Sequence, residues 1–355
     1  MTVGETVFVT GFPGFIAGRL IERLIRDAAR FFLLVQPPLV ARAQRELEQL
    51  VLRAKTEPEF FVVEGDIAEE NLGLAPDDLA AVRSETTRIF HLAALYDLAV
   101  PRDLAMRINL EGTQNLNRLA RSLPNLRRYN YISTCYVAGK RKGVILEAEL
   151  EHHAGFRNYY EESKYLAELE VDRLKGELPV TIYRPAVVCG DSQTGETAKY
   201  DGVYYLIHYL LRMPRFVSRL NIGNEKVALN LVPVDFVVDA IATLASESRA
   251  AGKTVQIADP SPLTTRQLCD ELARIIYGRE SLVTAPATLV NLFLSSPPSP
   301  AITGLPHHGV PYFFIRQTYD STVARELLAA QGLRCPTFTS YAPKIVEFAA
   351  QHPRI

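Results

Sequence analysis

The stretch TVFVTGFPGFIAGRL, residues Thr6–Leu20, has the pattern of a buried strand, a tight turn and a helix. Gly11 and Gly14 frame the turn, and Ala17 stands where a third small residue is wanted. Such a turn lets backbone N–H groups approach a pyrophosphate at the positive end of the helix, while small residues allow close helix–strand contact. The stretch therefore predicts a dinucleotide-binding site. A tight turn in some other α/β protein is the alternative interpretation.

Short apolar runs alternate with helical patterns along the rest of the chain. Strands separated by helices of this length predict βαβ units, here an α/β Rossmann fold with a doubly wound parallel sheet. We assign residues 1–185 and about 229–258 to an NADP-binding Rossmann domain, and residues 186–228 and about 259–355 to a smaller, mainly C-terminal substrate-binding region. The candidate strands after the first are FFLLV (31–35), EFFVVEGD (59–66), RIFHLAA (88–94), RRYNYISTCYVAG (127–139), LPVTIYRPAVV (178–188) and TVQIADP (254–260).

Composition argues against several classes of protein. The 355 residues carry a net charge of −1, which gives no global reason to bind nucleic acid. The four cysteines are widely separated, which is typical of reduced thiols in a cytosol and predicts no metal site. The first apolar run follows Glu5 and is broken by Gly and Pro, and no uninterrupted apolar span of about 20 residues occurs. We therefore expect a cytoplasmic protein without a transmembrane segment.

The end of the second strand bears on the choice of nicotinamide cofactor. An NAD site usually has an acid there to bond the ribose 2′-OH, but this chain has Gln36. Without a carboxylate a 2′-phosphate is not repelled, and Arg19, Arg42 or Arg45 could reach it. We favour NADP(H) and leave NAD(H) open, because the arginines could equally be a solvated helix face.

Residues after the third and fourth strands extend the same cleft, since parallel strands bind ligands at their carboxyl ends. Asp66 could bond the adenine amino group, and Ala93 and Ala94 are small where a cofactor backbone could pass. A packing requirement is the alternative for each of them. The predicted cofactor-binding residues are Thr10, Gly11, Phe12, Pro13, Gly14, Phe15, Ile16, Arg19, Gln36, Arg42, Asp66, Ile67, Leu92, Ala93, Ala94, Asn109, Tyr160, Lys164, Pro185, Val187 and Val188.

Tyr160 and Lys164 stand four residues apart in a helical pattern, so one helix places both on one face. The spacing alone is also common on solvated helices. It gains weight from the motifs around it, with which the chain resembles the extended short-chain dehydrogenase/reductase family. The motifs that carry the resemblance are TGxxGxxA (10–17), GDI (65–67), HLAA (91–94), ISTCYVAG (132–139), YEESK (160–164) and RPAVV (184–188).

Two longer stretches are most similar to one branch of that family. They are STCYVAGKRKGVILE (133–147) and RPAVVCGDSQTGET (184–197), and the branch contains fatty acyl-CoA reductases and the thioester reductase domains of carboxylic acid reductases. The resemblance implies reduction of an acyl thioester with NADPH, to an aldehyde or an alcohol. An aldehyde, ketone or hydroxysteroid reductase is the runner-up. A nucleotide-sugar epimerase and a catalytically silent NADP(H)-sensing binding protein are further alternatives.

The resemblance also implies roles for individual residues. Tyr160 would donate a proton to the carbonyl oxygen, and Lys164 would lower the pKa of Tyr160 and hold the nicotinamide ribose. Thr134 would orient the carbonyl oxygen, with Ser133 as the alternative. Family members often form a homodimer through two helices, here about 104–123 and 160–174.

The substrate side of the chain is apolar. GVYYLIHYLL (202–211) and ATLVNLFLSS (287–296) favour a long apolar substrate over a sugar nucleotide, unless they are core helices or a dimer interface. The irregular segment 285–311 is predicted to form a lid or wall of the ligand cleft, with a surface excursion as the alternative.

Overall fold

The computed structural model describes residues 5–26, 28, 30–53, 58–212, 220–281, 283–297, 299–300 and 307–354. Strands β1–β13 are, in chain order, Thr6–Thr10, Arg30–Val35, Glu59–Glu64, Arg88–His91, Arg128–Ile132, Gly143–Ile145, Val180–Pro185, Val187–Cys189, Leu220–Asn221, Leu231–Pro233, Thr254–Ile257, Val283–Thr284 and Gln317–Tyr319. Helices α1–α12 are Phe15–Leu24, Val40–Arg53, Pro76–Glu85, Arg102–Ala105, Gly112–Arg121, Tyr159–Asp172, Val203–Arg212, Val234–Ser246, Thr265–Tyr277, Ala287–Leu294, Thr322–Ala329 and Phe338–Gln351.

Seven strands form one parallel sheet in the order β11-β7-β5-β4-β1-β2-β3. The chain starts in the middle of the sheet, winds out to β3, and then winds out in the other direction from β4. The order therefore reverses between β1 and β4, and a crevice opens at the carboxyl ends of these two strands. The predicted doubly wound Rossmann architecture is confirmed.

Alternate residues of the central strand β1 pack into two layers, as the period of two along a strand requires. Val7 and Val9 belong to the cluster of buried side chains that includes α1, α2 and α8. Phe8 belongs to the cluster on the other face, which includes α5 and α6. All residues of β1 are buried, so the strand and the turn that follows it have a fixed position between the layers.

A third buried cluster joins α7, α9 and α12 around Tyr204, Leu268 and Ile345. It belongs to the predicted substrate-binding region. Helix α11 lies in the same predicted region, but its buried side chains pack into the cluster that contains α1 and α8. The division into two regions stays a prediction. Within the part of the chain that the structure describes, none of the helices is long and apolar enough to cross a lipid bilayer.

The helix predicted over residues 104–123 is regular only in part. Between α4 and α5 the backbone forms a π turn, Met106–Glu111, and Asn109 lies buried within it. Its side-chain amide accepts from the backbone N–H of Leu95 at 2.7 Å and donates to Ser163 Oγ at 2.9 Å. Asn109 therefore connects the loop after β4 to helix α6.

Candidate active site

The turn after β1 fits a pyrophosphate by its shape. Gly11 has φ +92°, and a Cβ there would lie 2.7 Å from the backbone N of Ala93. A Cβ on Gly14 would lie 2.6 Å from the backbone O of Gly11. Gly14 is also the N-cap of α1 and has no capping side chain, so the backbone N–H groups of the first turn stay open to an anion. Both glycines are thus required by close backbone approach.

A cleft of about 580 Å³ opens beside this turn at the carboxyl ends of the central strands. The structure brings most of the predicted site residues together around it. Those that line the cleft are Thr10, Gly11, Phe12, Pro13, Gly14, Phe15, Ile16, Gln36, Asp66, Ile67, Leu92, Ala93, Ala94, Ser133, Thr134, Tyr160, Lys164, Pro185, Val187 and Val188.

Three predicted cofactor residues lie outside the lining of this cleft. Arg19 forms ion pairs of 2.7 Å with both Asp191 and Glu196. Arg42 pairs with Glu46 on the exposed side of α2. Asn109 is occupied by the backbone and hydroxyl contacts of the π turn. Their predicted contact with a cofactor stays a prediction.

Helix α6 positions the predicted catalytic pair. Its N-cap Asn158 accepts a hydrogen bond from the backbone N–H of Glu161 at 3.0 Å, which fixes the start of the helix. Tyr160 and Lys164 are both buried and both line the cleft, whereas Tyr159 is 46% exposed. The i, i+4 spacing therefore brings the two predicted side chains, and not Tyr159, to the cleft.

Lys164 is held from the strand side of the cleft. Its Nζ donates to the hydroxyl of Tyr131 at 3.0 Å and to the backbone O of Ile132 at 2.9 Å. Burial lowers the pKa of Lys164 to about 8, although the charge of Glu168 acts in the opposite direction. Lys164 therefore loses its proton in a mildly alkaline range.

The predicted lowering of the Tyr160 pKa by Lys164 stays a prediction. Burial raises the pKa of Tyr160 above its usual value, and hydrogen bonding to Thr134 only partly opposes this shift. The ammonium of Lys164 is bonded to Tyr131 and the backbone of Ile132. Tyr160 is consequently a protonated phenol at neutral pH, which is the form that a general acid requires.

Ser133 and Thr134 differ in their partners. Ser133 donates its hydroxyl to the carboxylate of Glu168, which is itself bound to the buried guanidinium of Arg184 at 2.6 Å. Thr134 Oγ1 accepts from the backbone N–H of Tyr136 at 3.2 Å. Since only the hydroxyl of Ser133 is committed to a carboxylate, the geometry supports Thr134 over Ser133 as the residue that contacts a substrate.

A buried histidine lies behind the glycine turn. His91 Nδ1 is 2.7 Å from Thr10 Oγ1, and its Nε2 is 3.1 Å from Thr113 Oγ1. Burial, with a smaller effect from the charge of Lys164, lowers the pKa of His91 to about 3. The imidazole is therefore neutral at physiological pH and serves to connect β1, β4 and α5.

Several residues around the reacting end of the cleft were missed from the sequence. The ring of Tyr96 lies edge-on to that of Tyr160, with centroids 5.1 Å apart, and Lys199 Nζ lies 4.8 Å from the centre of the Tyr96 ring. Tyr136 and Asp201 complete this wall. Tyr136 stands inside the quoted motif ISTCYVAG and Tyr96 directly follows HLAAL, so proximity to motifs could have indicated both. Lys199 and Asp201 have no such signal.

With this geometry in place, comparison with known families is decisive. The family model described as "Male sterility protein", an NAD-binding family, matches residues 9–241. The chain belongs to this family. The matched range covers β1 to α8 and so includes the glycine turn, the catalytic helix and the central sheet. The resemblance to extended short-chain dehydrogenases/reductases of the fatty acyl-CoA reductase type is thereby confirmed.

Two relatives of this male sterility family member are reductases by name. "Glycine betaine reductase ATRR" of Emericella nidulans is 27% identical over 79% of this chain and 23% of its own length. "Fatty acyl-CoA reductase wat" of Drosophila melanogaster is 25% identical over 66% of this chain and 53% of its own length. The chain thus spans about half or less of these two relatives.

One solved structure is similar over nearly the whole chain. The terminal R domain from the myxalamid PKS-NRPS biosynthetic pathway has a TM-score of 0.83 and 25% sequence identity, and the match covers 99% of this chain and 92% of that one. The family and the glycine-turn cleft together identify a nicotinamide cofactor site in this chain.

Proposed function

We propose that this protein is an NADPH-dependent reductase of fatty acyl thioesters, giving an aldehyde or an alcohol. The observation that carries the proposal is the cleft, in which a dinucleotide turn, Tyr160, Lys164 and Thr134 come together at the carboxyl ends of the parallel strands. The reductases among its relatives support the oxidoreductase class, and the name of the Drosophila relative supports the acyl-CoA substrate.

Different side chains of the protein have different roles in reducing a thioester carbonyl. A bound reduced nicotinamide would supply the hydride for the carbonyl carbon. Tyr160 donates its phenolic proton to the oxygen on which negative charge develops, and the Thr134 hydroxyl holds that oxygen. Cleavage of the C–S bond of the resulting hemithioacetal releases a thiol and leaves an aldehyde. Lys164, which donates to Tyr131, would hold the cofactor ribose with its positive charge.

The end of β2 supports NADPH over NADH. Gln36 lines the cleft where an NAD site has a carboxylate, and its amide donates to Asp66 Oδ2 at 2.8 Å. Arg42, on the next helix, is held only by an exposed ion pair with Glu46. Such pairs contribute about 0–1 kcal/mol, so Arg42 can turn toward a 2′-phosphate at little cost.

The test is a substrate panel. Straight-chain acyl-CoA thioesters and the matching free aldehydes are supplied with NADPH or NADH, cofactor oxidation is followed at 340 nm, and free thiol is titrated. We expect thiol release coupled to NADPH oxidation, and the ratio of cofactor to thiol separates aldehyde from alcohol products. Oxidation with aldehydes or ketones but no thiol release from any thioester would contradict the thioester proposal and make the protein a carbonyl reductase.

Cofactor preference has its own test at Gln36. In Gln36→Asp, the new carboxylate lies beside the 2′-phosphate and should raise the KM for NADPH about tenfold, because like charges near a protein surface repel by one to several kcal/mol. Gln36→Asn is the matched control, since it shortens the side chain equally without adding charge. An equal KM for NADPH in the two variants would place the 2′-phosphate elsewhere.

The predicted cytoplasmic location and homodimer stay predictions.

A further inference from the structure

A second cavity lies away from the cofactor cleft, between α7, α9 and α10. This distal cavity has a volume of about 40 Å³ and is walled chiefly by Leu206, Ile222, Cys269, Val290, Leu294 and Phe313. None of the described residues that line it is charged. A concave apolar space of this kind suits a small hydrocarbon group rather than a whole ligand.

Two polar residues in the wall of the distal cavity, Thr265 and Asn224, are hydrogen-bonded to each other. Thr265 Oγ1 accepts from the backbone N–H of Asn224 at 2.8 Å and donates to its carbonyl at 3.2 Å. Asn224 Oδ1 accepts from the backbone N–H of Lys226 at 2.7 Å. The wall therefore offers a ligand mainly apolar surface, and a charged ligand group would lose its water there without an opposite charge to compensate.

A bridging cavity lies between the distal cavity and the cofactor cleft. It shares Tyr205 and Phe313 with the distal cavity, and Tyr96, Tyr136 and Asp201 with the cofactor cleft. The ring of Tyr96 is in edge-on contact with that of Tyr160. Shared walls thus place three adjoining spaces along one path from the phenol of Tyr160 to the apolar walls of α7 and α10.

The middle of this path is rigidly placed. Tyr312, which lines the bridging cavity, donates its hydroxyl to Glu161 Oε1 at 2.7 Å and accepts from Asn158 Nδ2 at 2.8 Å. Both partners belong to the first turn and N-cap of α6, which carries Tyr160. The substrate-side segment is therefore fixed to the catalytic helix itself, and the path keeps its direction relative to the reacting phenol.

We propose that the distal cavity binds the apolar end of a straight-chain acyl group whose carbonyl carbon lies beside Tyr160. This inference rests on the proposed function and names the site that sets the preference for chain length. Each methylene group that enters the cavity raises kcat/KM about fourfold, from the free energy of burying one CH₂. Helix α10, within the segment predicted from the sequence as a lid or wall, supplies part of the wall through Val290 and Leu294.

The test compares two adjacent positions of α10 that differ in burial. Val290 is 6% exposed and lines the cavity, whereas Leu289 is 59% exposed. In Val290→Phe, loss of room for about two methylene groups should lower kcat/KM for the longest acyl-CoA roughly 15-fold. Activity with the shortest acyl-CoA and NADPH binding should stay within about twofold, since Val290 is outside the cofactor cleft. Leu289→Phe should change neither.

The other results are also informative. Cys269→Leu fills the cavity from α9 and should shift the chain-length profile in the same direction, which keeps the test valid if Val290→Phe does not fold. An unchanged profile in a folded cavity-filling variant would overturn the inference. Turnover of aldehydes alone would contradict the thioester proposal. In that case the dependence of kcat/KM on aldehyde chain length tests whether the distal cavity binds the apolar chain. If neither class of substrate is turned over, binding of cis-parinaric acid is measured by its fluorescence. Weaker binding to Val290→Phe but not to Leu289→Phe would support the inference. Equal binding to both variants would overturn it.

Discussion

Tyr160→Phe is expected to lower kcat/KM for the reducible substrate by about 10²–10⁴-fold, the usual contribution of a positioned general acid. The change removes one hydroxyl and keeps the ring that packs edge-on against Tyr96. Burial keeps the phenol protonated, so the parent enters the reaction with the proton in place. The measurement is steady-state oxidation of NADPH, with the NADPH Kd obtained separately from cofactor fluorescence and expected to change little.

The neighbouring residue provides the matched control. Tyr159 starts the same helix and is 46% exposed, so Tyr159→Phe loses the same atom from a side chain away from the cleft. Its activity should equal that of the parent. Activity of Tyr160→Phe within about threefold of the parent would remove Tyr160 from the chemistry, because a general acid contributes far more than that. A parent that binds NADPH and turns over nothing would favour the silent, cofactor-sensing alternative.

The parts of this protein that could be predicted from sequence are those encoded by local patterns. Glycine is required at Gly11 and Gly14 because a Cβ at either position would lie too close to backbone atoms. The pair Tyr160 and Lys164 needs only one helix to bring both side chains to one face. The alternation of strands and helices fixes a parallel sheet, because parallel strands require crossover connections. Each of these features depends on residues within a short stretch of chain.

The missed features depend on contacts between distant parts of the chain. Lys199 reaches the Tyr96 ring from a loop about a hundred positions away, and no periodicity marks such an encounter. Whether Lys164 faces Tyr160 or Tyr131 is decided by how β5 lies against α6, which spacing along α6 cannot indicate. The sequence predicted that Arg19 could reach a 2′-phosphate. In the folded chain its guanidinium forms ion pairs with Asp191 and Glu196.

Glu168→Leu is expected to lower the free energy of unfolding by about 3–5 kcal/mol, the usual effect of removing one partner of a buried ion pair. Glu168 and Arg184 are both almost completely buried, and the carboxylate accepts from the guanidinium at 2.8 and 2.6 Å. Without Glu168 the guanidinium keeps only backbone carbonyl acceptors, such as that of Glu149 at 2.9 Å. Equilibrium unfolding in urea measures the loss.

An exposed ion pair on the same helix is the control. Glu170 pairs with Arg173, whose side chain is 70% exposed, so Glu170→Leu should cost no more than about 1 kcal/mol. The double variant Glu168→Leu with Arg184→Leu removes both charges and should recover part of the loss, since the penalty comes from the unpaired guanidinium. Equal stability of Glu168→Leu and Glu170→Leu would show that burial of the pair has no energetic consequence.

Glu168 also connects stability to the chemistry, because its charge opposes the effect of burial on Lys164. Glu168→Gln keeps the shape of the side chain and removes that charge, so the pKa of Lys164 should fall further below its present value of about 8. If the protonated lysine is the active form, the alkaline limb of kcat/KM then moves to lower pH. A profile measured from about pH 6 to about pH 9 tests this shift. An unmoved limb, together with lower stability, would restrict Glu168 to supporting Arg184 and Ser133.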